Sequence, residues 1–233
     1  MTAIPRWTRV PLPGVGEHEA RIPDELVAPL CRLADEVALP LGSVLLAAHA
    51  KVLAALSGES EVVTGYVAVA GRPPAPCRVT TAPRTWRALL LEISRAEPEP
   101  LSHAEALFET VFDPTSDGGG ELAEGTVLRV GVLERDGMVL RLRYRTDVLD
   151  AECAARIAGY HLTALASIAA DPDAEHGRQS LLCAEERHLQ LDGLAGPRRE
   201  LPERRVHELF EEQVWAHPDA VAAVHGESRL TYR

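Results

Sequence analysis

A chain of 233 residues carries enough material for one substantial domain and a tail, and its 46% hydrophobic content can supply a core built mostly of Leu, Val and Ala, because aromatics make up only 4%. A net charge of -11 excludes the basic footprint of a nucleic-acid surface and suits a cytoplasmic protein or one module of a larger acidic assembly. Four widely spaced cysteines, Cys31, Cys77, Cys153 and Cys183, form no CxxC pair, no apolar run approaches the ~20 residues of a membrane span, and MTAIPRWTRVPLPG lacks the apolar core of a signal peptide.

Residues 1–16 hold three prolines and two glycines and read as an irregular arm, followed by a short strand from Glu17 to Ile22. Pro23 stands where a helix starts, and Leu26, Val27, Leu30, Leu33, Ala34 and Val37 recur at helical spacing up to Pro40. A second helix from about Gly42 to Leu56 is apolar nearly all round apart from His49 and Lys51, as expected of a helix buried on most sides, and Gly58 suits its C-terminal cap. Val62 to Val69 is apolar on both faces, which predicts an interior strand ended by Gly71 and two prolines. Thr85 to Ser94 reads as a helix and Leu107 to Phe112 as a strand. AEPEPLSHAE between them reads as a polar connection, and the stretch around Gly118, Gly119 and Gly120 as a loop.

The clearest hairpin follows. TVLRVGVLE and MVLRLRYR flank Arg135-Asp136-Gly137, with Asp-Gly at the tip as a favoured hairpin turn. On the second arm Leu140, Leu142 and Tyr144 share one face and Arg141, Arg143 and Arg145 the other, with Arg129 on the facing arm. These four arginines could hold a phosphate, could meet an acidic partner, or could be a solvated sheet face. Asp150 is placed to cap a helix from Ala151 to Ala170, a short helix is expected near Ala184 to Leu191, and GPRRELPERR reads as a linker. The terminal helix carries Val206, Leu209, Phe210 and Val214 as an apolar stripe that must be covered somewhere, and two short strands follow it. The alternation of strands and helices around one antiparallel hairpin predicts an α/β fold, a mixed sheet with flanking helices.

No HExxH, GxSxG, GxxxxGK[ST] or strand-following GxGxxG is present. His49 and His161 read as core or edge histidines.

The tail VHELFEEQVWAHPDAVAAV with LTYR closely resembles the opening of an adenylation domain of nonribosomal peptide synthetases. Leu41 to Pro74, Leu142 to Asp150 with the helix after it, and Leu181 to Leu191 resemble, in order, the C-terminal half of a condensation domain of the same synthetases. The resemblance implies the C-terminal lobe of a chloramphenicol-acetyltransferase-like fold over residues 17–191, a linker over 192–205, and the start of an adenylation domain over 206–233. Val206, Leu209, Phe210 and Val214 would then dock the adenylation domain. A family condensation domain works through a His-His-x-x-x-Asp-Gly motif on its other lobe. This chain has no His-His dipeptide, and Asp136-Gly137 at the hairpin tip has no histidine upstream at that spacing. Segments that line the family's tunnel are also shortened, APCRVTTAPRTWRALL among them.

Three functions are therefore expected to compete. In the first the chain is a truncated, non-catalytic platform for the adenylation domain, with no catalytic residue, metal or cofactor of its own. In the second it is an interaction module for a carrier protein, a ligase or a second copy. In the third it is half of an amide-forming acyltransferase completed in trans. Phosphopantetheine, in any of these, belongs to a partner carrier domain.

Overall fold

Along one strand of a six-stranded sheet the buried Leu140, Leu142 and Tyr144 alternate with half-buried arginines, and helices pack on the sheet around one apolar core. This architecture comes from a computed structural model that describes residues 2–82, 85–95, 107–115, 122–197, 200 and 203–233. The chain divides into two compact units, Met1–Arg187 and His188–Arg233. Among the described residues no single helix is long and apolar enough to cross a membrane.

The sheet of the first unit contains β1 (Val15–Arg21), β2 (Glu61–Tyr66), β3 (Ala75–Thr80), β4 (Thr110–Asp113), β5 (Leu128–Glu134) and β6 (Met138–Arg145), in the order β1-β6-β5-β4-β2-β3. β4 runs parallel to both of its neighbours, whereas β1–β6, β5–β6 and β2–β3 are antiparallel, so the sheet is mixed. The β5–β6 hairpin closes at Asp136 and Gly137 with φ of 42° and 120°, the left-handed backbone that an Asp-Gly turn supplies. Its register sets Val130 opposite Leu142 and Val132 opposite Leu140, which places the apolar set of both arms on the helix-covered face.

The helices are α1 (Asp24–Glu36), α2 (Leu41–Ser57), α3 (Trp86–Arg95) and α4 (Ala151–Ala170). α2 is the hub: it packs on α1, α3, α4 and β2, and this explains a helix that is apolar almost all round. Gly58 ends it at φ 74°, its N–H returned to the Ala54 carbonyl. α4 begins as predicted, with the Cys153 N–H donating to Asp150 Oδ1 at 2.9 Å.

Three expectations need correction. The proline-bearing stretch after Gly71 contains a strand, β3, with Pro76 inside it. β3 lies at the sheet edge, where a residue without an N–H is tolerated. The N-terminal arm, though irregular, is anchored. Thr2 and Ile4 are buried, and Trp7 donates to the Val148 carbonyl at 2.7 Å and accepts from the Asp150 N–H at 3.0 Å. The strand expected over Leu107 to Phe112 is β4, shifted to Thr110–Asp113. The polar connection over residues 96–105 and the glycine loop at 118–120 lie outside the described residues.

The second unit follows α5 (Ala184–His188) with a π-helical turn at Leu189–Gly193, α6 (Val206–Ala216) and an antiparallel hairpin of β7 (Val221–His225) and β8 (Ser228–Thr231). Glu208 Oε2 accepts from the Arg205 N–H at 2.9 Å at the start of α6.

Candidate functional site

Four polar side chains sit in the middle of the first unit's apolar core. His49 on α2, His161 on α4, Thr64 on β2 and Thr110 on β4 are each at most 2% exposed. Their hydrogen bonds define one direction of donation. The Ile157 carbonyl can only accept, so His161 Nδ1 carries the proton for that 2.7 Å bond and Nε2 is left as an acceptor. His49 Nδ1 then donates to His161 Nε2 at 3.1 Å, and His49 Nε2 faces Thr64 Oγ1 at 3.4 Å, whose single proton also meets the Thr110 carbonyl at 3.0 Å. Thr110 Oγ1 donates in turn to Thr64 Oγ1 at 3.1 Å. Each imidazole nitrogen has a polar neighbour, and Phe112 stacks on His49 at 4.9 Å between ring centroids. Burial holds His161 down to about 4, and burial plus the neighbouring His161 push His49 well below the usual histidine value. Both rings are therefore neutral, and the cluster ties two helices to two strands. It is sealed from any substrate. The sequence identified each histidine as a core or edge residue but gave no sign that the two meet.

The four predicted arginines do come together, on the sheet face opposite the helices, and each has a carboxylate. Arg129 bonds Asp113 and Arg145 bonds Asp147. Arg141 reaches Glu19 at 2.8 Å and Glu17 at 3.4 Å, and Arg143 reaches Glu17 at 3.7 Å. Arg129 and Arg143 stand directly opposite across β5–β6, a like-charge pairing that the acidic residues of β1 and β4 offset. Hydrogen bonds from Thr115 and Arg129 outweigh the effect of burial on Asp113 and hold its carboxyl below the ordinary range. The result is a self-neutralised charge ladder.

The four stripe residues fall on α6 in two groups: Leu209 and Val214 are half-buried, whereas Val206 and Phe210 are 83% and 54% exposed. Phe210 lies 5.3 Å from the Tyr232 ring. Trp215, Val224 and Leu230 are exposed as well, and no described residue from His188 onward is buried.

One motif relation escaped the sequence reading. His188 precedes Asp192-Gly193 at the spacing of the family's catalytic pattern, with Arg187 in the position of its first histidine. The signal was legible in the sequence but was masked by the more prominent Asp136-Gly137 turn. The structure gives it no walls: His188 is 78% exposed and its Nδ1 sits 2.8 Å from Asp192 Oδ2 across the π-helical turn. Among the described residues no three His, Cys, Asp or Glu side chains are placed to hold a metal.

No protein-family model matches the chain. Along 94% of its length it is 27% identical to tyrocidine synthase 3 of Brevibacillus parabrevis and 28% identical to a plipastatin synthase of Bacillus subtilis, spanning 4% and 10% of those proteins. Among solved structures, a four-domain nonribosomal peptide synthetase bound to AMP and glycine superposes with a TM-score of 0.66 at 14% identity, over 99% of this chain and 23% of that one. The X-domain from teicoplanin biosynthesis gives 0.62 at 17%, over 78% and 53%. The first condensation domain of the calcium-dependent antibiotic synthetase, in complex with a substrate analogue, gives 0.56 at 21%, over 73% and 48%. The fold is therefore that of a condensation domain, of which this chain spans about half. Its sequence relatives are nonribosomal peptide synthetases, of whose length it spans a small part, and the chain is similar to a condensation-domain segment of such proteins.

Proposed function

We propose that this chain is a non-catalytic condensation-like lobe that acts as a structural platform for an adenylation domain. The observation that carries it is the state of the 188–233 unit, which buries none of its described residues while exposing Val206, Phe210, Trp215, Val224 and Leu230. A helix and hairpin with that much uncovered apolar surface need a larger body to complete them. The resemblance of Val206 to Arg233 to the opening of an adenylation domain supplies that body.

The histidines support the non-catalytic half of the reading. Directing an amine onto a thioester takes an imidazole within hydrogen-bond reach of the amine, in a site that excludes water. His49 and His161 are sealed inside the core, and His188 stands in solvent. The phosphopantetheine arms of such an assembly line would be carried by partner carrier domains.

The test is association. The chain is mixed with an adenylation domain lacking its own first ~30 residues, and binding is measured by calorimetry. Saturable binding that Phe210→Asp abolishes supports the platform; its absence in the unmodified chain refutes it.

A second reading is favoured by one solved structure of the same fold. The X-domain from teicoplanin biosynthesis has been solved in complex with OxyB and superposes with a TM-score of 0.60 at 18% identity, over 78% of this chain and 52% of that one. In this reading the chain recruits a separate protein. Co-purification with a pathway protein other than the adenylation domain, unaffected by Phe210→Asp, would select it.

A further inference from the structure

Lys51 is the only lysine in the chain, and it interrupts the apolar run of α2. It is half-buried, and among the described residues no carboxylate lies within ion-pair distance of its ammonium group. An isolated cation held partly out of water is costly unless something answers its charge. Burial accordingly lowers its affinity for the proton.

Lys51 lines a cleft of about 250 Å³ together with Trp7, Leu56, Tyr160, Gln179 and Leu181. The hydrogen bonds around this cleft fix what it offers. The Gln179 Oε1 accepts from Trp86 Nε1 at 2.7 Å, which leaves the Gln179 amide –NH2 to donate. The Tyr160 hydroxyl donates to Glu186 Oε1 at 2.8 Å, so its proton is engaged, and burial with that bond pushes the phenol up to about 12. Arg156 lies over the Trp7 ring, 5.7 Å from its centroid, and adds positive potential on that side. Beside Lys51, His176 is fully buried against Trp86, and neither ring nitrogen has a partner among the described residues. Burial and the Lys51 charge bring His176 down to about 4, so it is neutral and supplies no counter-charge.

Of the side chains that line the cleft, Lys51 and Gln179 thus offer donors, and the rest of the wall is aromatic and aliphatic. We propose that this cleft is a binding site for a small monocarboxylate with an apolar body, its carboxylate received by Lys51 and the Gln179 amide and its body packed between Trp7, Leu56 and Leu181. The volume lies below the roughly 300 Å³ at which sites for drug-sized molecules begin, which limits the ligand to the size of phenylacetate or 4-methylpentanoate. A single cation suits a monoanion; a phosphate dianion would need more donors. The site lies wholly within residues 1–187 and is independent of the docking surface on α6.

The lone lysine gives a direct assay. An amine-directed acetylating reagent can modify only Lys51 and the terminal α-amine, and mass spectrometry follows each. Phenylacetate at about ten times its dissociation constant should slow Lys51 acetylation about tenfold while the α-amine reacts at an unchanged rate. Phenylacetamide, the same body without the charge, should give no protection. Lys51→Gln should abolish phenylacetate binding measured by ligand-observed NMR, and Lys51→Arg should retain it, which separates loss of the cation from loss of the fold. Unchanged acetylation at millimolar phenylacetate, equal protection by the amide, or full binding by a folded Lys51→Gln protein would each overturn the proposal.

Discussion

Acidification should destabilise the first unit through its three buried histidines, His49, His161 and His176. His161 titrates near 4 in the folded chain, against about 6.5 for an unfolded one, and His49 is displaced in the same direction. Between those values the unfolded chain binds protons that the folded chain refuses. Stability is therefore complete above about pH 6.5 and falls as the pH drops towards 4. One such histidine costs about 1.4 kcal/mol per pH unit in that window, and His161 alone accounts for about 3 kcal/mol across it. That is a large share of the roughly 5–15 kcal/mol that holds a domain together. The carboxylates of Asp113, Asp147 and Asp150 are all held below their ordinary range, so they contribute at the acid end and leave the interval from about pH 6.5 to 5 to the imidazoles. Urea unfolding followed by circular dichroism at half-unit pH steps measures the slope. His161→Gln keeps a side chain able both to donate and to accept and removes one titrating group, so its slope should be shallower by about 1.4 kcal/mol per pH unit. A stability that stays flat from about pH 6.5 to 5, or an unchanged slope in His161→Gln, would refute the buried, neutral assignment.

Thr64→Val should cost about 1–3 kcal/mol in the same urea experiment, because it removes the buried hydroxyl that meets the Thr110 carbonyl, Thr110 Oγ1 and His49 Nε2. Asp150→Ala removes the cap of α4 and should cost about 1 kcal/mol. Phe210→Ala should leave the unfolding of the isolated chain nearly unchanged but weaken its association with an adenylation domain by about 2 kcal/mol, roughly thirtyfold by calorimetry.

Much of the helix-covered face was legible because period-two and period-3.6 patterns are local. Leu140, Leu142 and Tyr144 alternate with three arginines, and the first set does face the core. Asp150 was legible as a cap because capping involves only the next three residues. β3 was not, since Pro74 and Pro76 argue against a strand until the strand is known to lie at an edge. The bond between His49 and His161 spans 112 positions in sequence, and no local period reports which faces of two buried helices meet. The arginines formed a visible stripe, but their partners on β1 and β4 depend on strand order, which propensity does not encode. The α6 stripe was visible as apolar spacing. What the spacing did not show were the exposed Val224 and Leu230, which the following hairpin contributes.

The central proposal is that this lobe supports synthesis without performing it. Its most direct test mixes the purified chain with an aminoacyl-loaded donor carrier and an aminoacyl-loaded acceptor carrier and follows dipeptidyl-carrier formation by intact-protein mass spectrometry. The account predicts no product above the carriers-alone rate, with the chain and its His188→Ala variant indistinguishable. Dipeptide formed faster in the presence of the chain, and lost in His188→Ala, would contradict it.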